Sequence, residues 1–423
     1  MSNSQKQWGA IIVMIALFAM IAFVTNLCTP MATIIKNQGE ISNVLAQIGN
    51  YGNFIAYLVM GIPAGILISK YGYKKTAMIG LVVGIIGILI QWYSGQLDAQ
   101  ENLGLVFGVY LIGAFIAGLC MCILNCVVNP MLNILGGGGN KGNQLIQTGG
   151  VFNSFAAVAC YILMGALIAD ATKAKISDAT PALMIALGIF VVALIVIAFT
   201  KIEEPKQAPV QLELISGALK HRHFALGALA IFVYLGIEVG VPNFVNLYLI
   251  DTGVTAATAG MLVAVYWFFM LVGRFVGASI GNKVSSRAMV TVVSTATIIL
   301  VLIGIYLPKD IMFNFPGVDW GKFEFVWQEI PVAIGALLFV GLCTSVMWGA
   351  IFNMAVEKLG KYTAIASGIF MTMVCGCAVM MFIQASVADV TDYITSFWVV
   401  LFCAAYILFY ALVGSRIKNT EKE

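Results

Sequence analysis

Charge is what this sequence has least of. Its 423 residues include 22 Lys and Arg and 19 Asp and Glu, so 10% are charged, against about 25% in an ordinary soluble domain. That shortage excludes a soluble globular chain. A net charge of only +3 offers nothing to a nucleic acid. Histidine is nearly absent: the two copies, His221 and His223, sit in one basic linker. The nine cysteines all fall in apolar runs, none spaced as CxxC and none near a histidine, so they read as small buried residues rather than metal or redox groups. The first apolar run, Trp8 to about Ile34, has no small-residue cleavage site and is too long for a signal peptide. It is expected to be retained as a span.

What is there is apolar. Hydrophobic residues make up 61% of the chain and the mean hydropathy is +0.99. Runs of about 20 such residues suffice to cross a bilayer. Twelve are expected, at 8–34, 47–69, 76–94, 103–135, 145–170, 182–200, 224–250, 257–281, 287–307, 330–356, 364–389 and 393–415. A long segment from Lys201 to His223 divides them six and six. It holds Glu203, Glu204, Pro205 and Pro209, then Leu212, Leu214, Ile215 and Leu219 at the spacing of a helix lying on the membrane surface. The expected units are therefore 1–200, a linker at 201–223, and 224–423.

Basic residues sort by side. With the N-terminus inside, sixteen Lys and Arg fall on the inner loops, five (Lys36, Lys173, Lys175, Lys309, Lys322) fall outside, and Arg274 lies within a span. Positive charge stays inside, so both termini are expected in the cytoplasm. The one long outer segment, Leu307–Glu329, carries Phe313, Phe315, Pro316, Trp320, Phe323 and Trp327. It reads as a cap at headgroup level or as a lid over an entrance.

The halves repeat. At an offset of 212, Glu238 overlies Asn26, Pro242 overlies Pro30, Gly277 overlies Gly65 and Arg287 overlies Lys75; later the offset becomes 219 and Gln384 overlies Gly165. Parallel six-span repeats place a binding site near the midplane, at the seam between them. Glu238 is the only acid well inside any apolar run. A charge at bilayer depth costs about 2.5–3.5 kcal/mol on insertion scales, which marks it as a functional residue; the alternative is a protonated Glu bonded to a neighbouring helix. Arg274 lies near the inner end of its span, where it can snorkel, and reads as gating or structural.

The remaining polar side chains inside the runs are amides and aromatics. Gln47, Asn50, Asn53 and Tyr57 recur at helical spacing on one face. Asn125 and Asn129 are one turn apart before Pro130, and Asn153, Asn243, Asn246, Trp348, Asn353 and Gln384 follow. Amides both donate and accept, which suits the hydroxyls of a neutral sugar, and an aromatic face covers its C–H face. The alternative is that such amides are glue between helices, at about 0.6 kcal/mol each.

Ile62-Pro63-Ala64-Gly65, Asn129-Pro130, Phe152-Asn153-Ser154, Tyr234 to Glu238, Gly273-Arg274-Phe275, Leu359 to Thr363 and Ala366-Ser367-Gly368 occur in order along the chain. Together they resemble the fucose:proton symporter family of the major facilitators, which includes glucose and galactose transporters, some coupled to sodium. The resemblance implies an all-α membrane protein of twelve helices in two pseudo-symmetric halves. It also implies a transporter, not an enzyme, that takes up a neutral mono- or disaccharide across the cytoplasmic membrane. The family's proton-coupled members have an Asp where this chain has Asn26 and a Glu where it has Asn125. A Gln often precedes their Asn-Ser, where Gly150 stands here. Amides do not titrate. Coupling is therefore expected at Glu238, to sodium ahead of proton, with Asn26 and Asn125 in the vacated positions. An uncoupled facilitator is the alternative, and a non-transporting sugar sensor a more distant one. No cofactor is expected beyond the coupling ion. The expected partners are a sugar and the bilayer, the chain acting as a monomer.

Overall fold

The computed structural model describes residues 8–39, 41–136, 139–168, 174–203, 212–280, 284–319, 324–359 and 362–417. Several residues read above, among them Asp170, Lys173, Glu204, Pro205, Pro209, Lys283, Trp320, Lys322, Phe323, Gly360 and Lys361, lie outside the described residues. The helices are α1 (Trp8–Asn26), α2 (Cys28–Gly39), α3 (Asn43–Ala46), α4 (Ile48–Ser94), α5 (Ala99–Leu135), α6 (Gly139–Leu167) and α7 (Thr180–Phe199) in the first half. A short α8 (Leu214–Lys220) leads to α9 (Arg222–Glu238), α10 (Gly240–Asp251), α11 (Ala256–Ile280) and α12 (Ser286–Tyr306). A hairpin of β1 (Met312–Asp319) and β2 (Glu324–Pro331) precedes α13 (Val332–Val356), α14 (Thr363–Thr372), α15 (Gly376–Val390) and α16 (Phe397–Phe409).

Eleven helical stretches among the described residues are long and apolar enough to cross a membrane. One of them, α4, has 47 residues and is two spans in one. It breaks at Gly72, whose φ of 81° is open to glycine at little cost. The chain thus crosses twelve times. Span 1 is α1 with α2, spans 2 and 3 are the two limbs of α4, and spans 4, 5 and 6 are α5, α6 and α7. Span 7 is α9 with α10, and spans 8, 9 and 10 are α11, α12 and α13. Span 11 is α14 with α15, and span 12 is α16. An even count leaves both described ends on one side, here the terminal side; the opposite is the far side.

Glycines let spans touch backbone to backbone. A methyl built on Gly118 of span 4 would lie 2.2 Å from Asn53 O of span 2, and one on Gly376 of span 11 would lie 2.1 Å from Phe232 O of span 7. The halves meet in the same way. Gly61 of span 2 abuts the Thr372 backbone of span 11, and Gly165 and Gly260 bring spans 5 and 8 together toward the far side.

Two segments take a definite form. The amphipathic linker forms a helix of only seven residues, and its Gly217 packs against the Tyr362 ring at the start of span 11. The outer segment is a two-stranded antiparallel hairpin in register Met312↔Pro331 to Asp319↔Glu324. Alternating aromatic and β-branched residues favour that strand geometry. Phe313 and Phe315 pack on the helices, Gly317 sits against Thr258 at the start of span 8, and Phe325 and Trp327 stay exposed.

Candidate functional site

Spans 1 and 7 break at matched places, and proline is the cause. A proline has no amide N–H, so the carbonyl four residues earlier loses its helical partner. Pro30 does this to Asn26 and Pro242 does it to Glu238, and α1 ends at Asn26 as α9 ends at Glu238. The Asn26 side chain turns back on its own helix, Nδ2 donating to Ala22 O at 2.8 Å. The Glu238 carbonyl is met from outside the helix by the Tyr266 hydroxyl of span 8 at 3.1 Å.

Glu238 is half-buried at the middle of span 7. The electrostatic neighbours of its carboxyl are Arg274, the cation whose charge acts on it, and Tyr234, one turn earlier in the same helix. Trp348 of span 10 is half-buried beside the Tyr234 ring, centroids 6.2 Å apart, and meets Phe370 of span 11 edge-on at 5.5 Å. An acid and an indole thus share one wall of the seam.

Arg274 does not snorkel toward the headgroups. Its Nη1 crosses to span 5 and donates to Gly150 O, to Ser154 Oγ at 2.8 Å and to Asn153 Oδ1 at 3.4 Å. A methyl on residue 150 would lie 3.4 Å from that nitrogen, so the guanidinium rests in van der Waals range directly over Gly150. Asn153 Nδ2 donates in turn to Phe18 O of span 1 at 2.9 Å.

A second group of amides lies toward the far side. Gln47 and Asn243 exchange two hydrogen bonds across the seam, at 3.1 and 2.9 Å, and Asn50 Nδ2 donates to Gln47 Oε1 at 2.6 Å. Asn50 Oδ1 and Asn53 Nδ2 are buried without a protein partner. Asn246 donates to Thr33 Oγ1 of span 1 at 3.1 Å. Asn125 is half-buried, Nδ2 donating to the Tyr57 hydroxyl at 2.9 Å, while Asn129 donates to Asn125 O within its own helix at 3.2 Å. Gln384 is buried against Gly240 of span 7 and Ser396, and Asn353 is exposed. The predicted residues thus fall into a seam cluster around Glu238, Trp348, Arg274 and Asn153, and a far-side cluster around Gln47, Asn50 and Asn243. Asn129, Asn353 and Gln384 join neither.

A charged rim closes the far side beyond that second cluster. Lys36 donates to the Tyr393 hydroxyl and pairs with Asp251 at 3.8 Å. The Tyr393 hydroxyl donates to Asn43 Oδ1 at 2.7 Å. Asp389 accepts the Asn43 and Val44 amides at 2.7 and 3.0 Å, capping α3 of the other half. Burial pushes the Tyr393 phenol above its ordinary value, and the Asp251 charge adds to it, so the group stays a neutral donor. Tyr266, Thr344, Lys36 and Asp389 were not among the predicted site residues. Counting four back from Pro242 finds the orphaned carbonyl, but not the side chain that meets it.

A bundle of twelve spans, six and six, with broken helices and polar residues at the seam, has the architecture of a membrane transport protein. The profile of the Major Facilitator Superfamily matches residues 10–382, and the chain belongs to that superfamily. It is 28% identical over 426 residues to a glucose/galactose transporter of Brucella abortus, covering 98% of this chain and 96% of the relative. It is 21% identical over 433 residues to the L-fucose-proton symporter of Escherichia coli, covering 95% and 92%. The crystal structure of the E. coli fucose:proton symporter shares its fold at a TM-score of 0.68 and 20% identity, over 97% of this chain and all of that one. A D-xylose-proton symporter does so at 0.69 and 12%, over 96% and 99%. These relatives are transporters, not enzymes.

Proposed function

We propose that this protein takes up a neutral mono- or disaccharide across the inner membrane by alternating access, coupled to a cation. Residues 1–200 and 224–423 rock about the seam, with 201–223 as the cytoplasmic link and both termini in the cytoplasm. A hexose such as glucose or galactose is the first substrate to test, in line with the names of the relatives at 27–28% identity. The observation that carries the reading is Glu238, the one acid well inside the spans, set at the proline break of span 7 one turn from Tyr234, whose ring meets Trp348. Trp348 stacks on the ring and the seam amides, Asn26, Asn125 and Asn153 among them, meet its hydroxyls. Gln47, Asn50, Asn243 and Asn246 join them as the far-side contacts part. Asn129, Asn353 and Gln384 stay with the binding set as its outermost members. Arg274 gates the terminal side.

Sodium ranks ahead of proton because positions 26 and 125 hold amides, which leaves one carboxylate with amide and backbone oxygens, a hard-ligand set that suits such a cation. The test is uptake and counterflow of radiolabelled D-glucose and D-galactose in proteoliposomes under imposed sodium or proton gradients, for wild type and Glu238→Gln. Sodium-driven accumulation that the variant loses while keeping counterflow supports the reading. Counterflow intact in both proteins, with accumulation under neither gradient, makes this a facilitator instead.

A further inference from the structure

The acid at the seam does not hold itself. With Pro242 in place, the Glu238 carbonyl has no helical donor, and a buried acceptor left unpaired is costly. The Tyr266 hydroxyl fills that place at 3.1 Å. Tyr266 is fully buried on span 8, and it comes close because span 10 lies against its backbone, a methyl on Gly341 falling 2.2 Å from Tyr266 O. The same hydroxyl lies 3.2 Å from Thr344 Oγ1 of span 10. A phenol has one hydrogen. It goes to Glu238 O, and the Thr344 hydroxyl, which also reaches Gly341 O at 3.1 Å, shares its own hydrogen between that carbonyl and the tyrosine oxygen. Tyr234, one turn before Glu238, donates to Thr344 O at 3.1 Å, which returns the chain to span 7.

We propose that Tyr266, backed by Thr344, is a positioning residue for cation coupling: it holds the broken turn of span 7 so that the Glu238 carboxyl points into the seam. This rests on the reading of Glu238 as the coupling group and goes beyond it, because it assigns the orientation of that group to span 8 rather than to span 7. In span 1, which has the same proline spacing, the bond at the break is the one the Asn26 side chain donates to Ala22 O of its own helix. The device also ties Glu238 to spans 8 and 10, so a change in the carboxyl is felt by the helix that carries Arg274.

The experiment is sodium activation of D-glucose uptake, and its pH profile without sodium, in proteoliposomes of full-length wild type, Tyr266→Phe, Pro242→Ala and the double variant, with D-glucose counterflow and thermal unfolding measured alongside. Tyr266→Phe removes one hydroxyl and keeps the ring. The expected result is a cation half-saturation raised on the order of ten-fold, the weight of one buried hydrogen bond, with counterflow within about two-fold of wild type. Pro242→Ala returns an amide N–H to Glu238 O, so Tyr266→Phe should cost much less in that background. Thr344→Val shifts the half-saturation the same way by less, and it serves where Tyr266→Phe gives no folded protein.

If Tyr266→Phe lowers the melting temperature and counterflow but leaves the cation half-saturation unchanged, the tyrosine is a brace and the inference falls. Effects of Tyr266 and Pro242 that simply add overturn it as well. Wild type that shows no cation activation removes the coupling reading, and this inference goes with it; a normal wild type with an unaltered Tyr266→Phe removes the inference alone.

Discussion

The two halves share a fold and differ in chemistry. At the proline breaks, span 1 carries an amide that bonds to its own helix, and span 7 carries an acid whose carbonyl is tied to a neighbouring span. Around the seam, the first half supplies Gln47, Asn50, Asn125 and Asn153, which are neutral at any pH. The second supplies Glu238 and Arg274, the charged groups at the seam away from the rim. On the far-side rim, both carboxylates, Asp251 and Asp389, also come from the second half, and they face a lysine and two backbone amides of the first. Repetition gives two similar bodies a common seam, and the charge deep inside it comes from one body only.

That contrast is broken most sharply at Glu238. Glu238→Gln should lower gradient-driven D-glucose accumulation by about 100-fold, the weight of a lost charged contact, while counterflow persists. Moving the acid across the repeat sharpens the contrast. Asn26→Asp with Glu238→Gln should restore accumulation to within roughly ten-fold of wild type, the shortfall being the hydrogen bond that Tyr266 makes in span 7 alone.

Smaller effects are expected at the far side. Gln47→Ala removes both bonds to Asn243, at about 0.6 kcal/mol each, and should shift the conformational balance several-fold toward opening on that side. Labelling of an introduced cysteine near Thr33 from outside the vesicle checks it. Asp389→Ala uncaps α3 at the exposed rim and should move the same labelling rate least, by about 1 kcal/mol or less.

The fold was legible because its signals are local. Twelve apolar runs, the loop charges and the proline spacing can each be read from a short window, and even the break at Gly72 sits in the basic turn between spans 2 and 3. The site was legible as a set of residue types, not as an arrangement. Gln47 and Asn243 are far apart in sequence, and nothing local says that they bond to each other. Arg274 has the position of a snorkelling residue, yet its acceptors Gly150 O and Ser154 Oγ lie across the seam on span 5. The hairpin was missed for another reason: its aromatic residues suit a headgroup-level loop and a strand equally well, and only pairing over Met312–Pro331 decides.

That hairpin gives the molecule an outline. A 45.3 kDa helical bundle of two like halves offers single-particle imaging little by which to tell one half from the other. The strands attach to the second half alone, through Gly317 on Thr258, and present Phe325 and Trp327 outward. An antibody fragment raised against that face would mark one half, leave the seam free, and turn each rocking movement into a measurable change of angle.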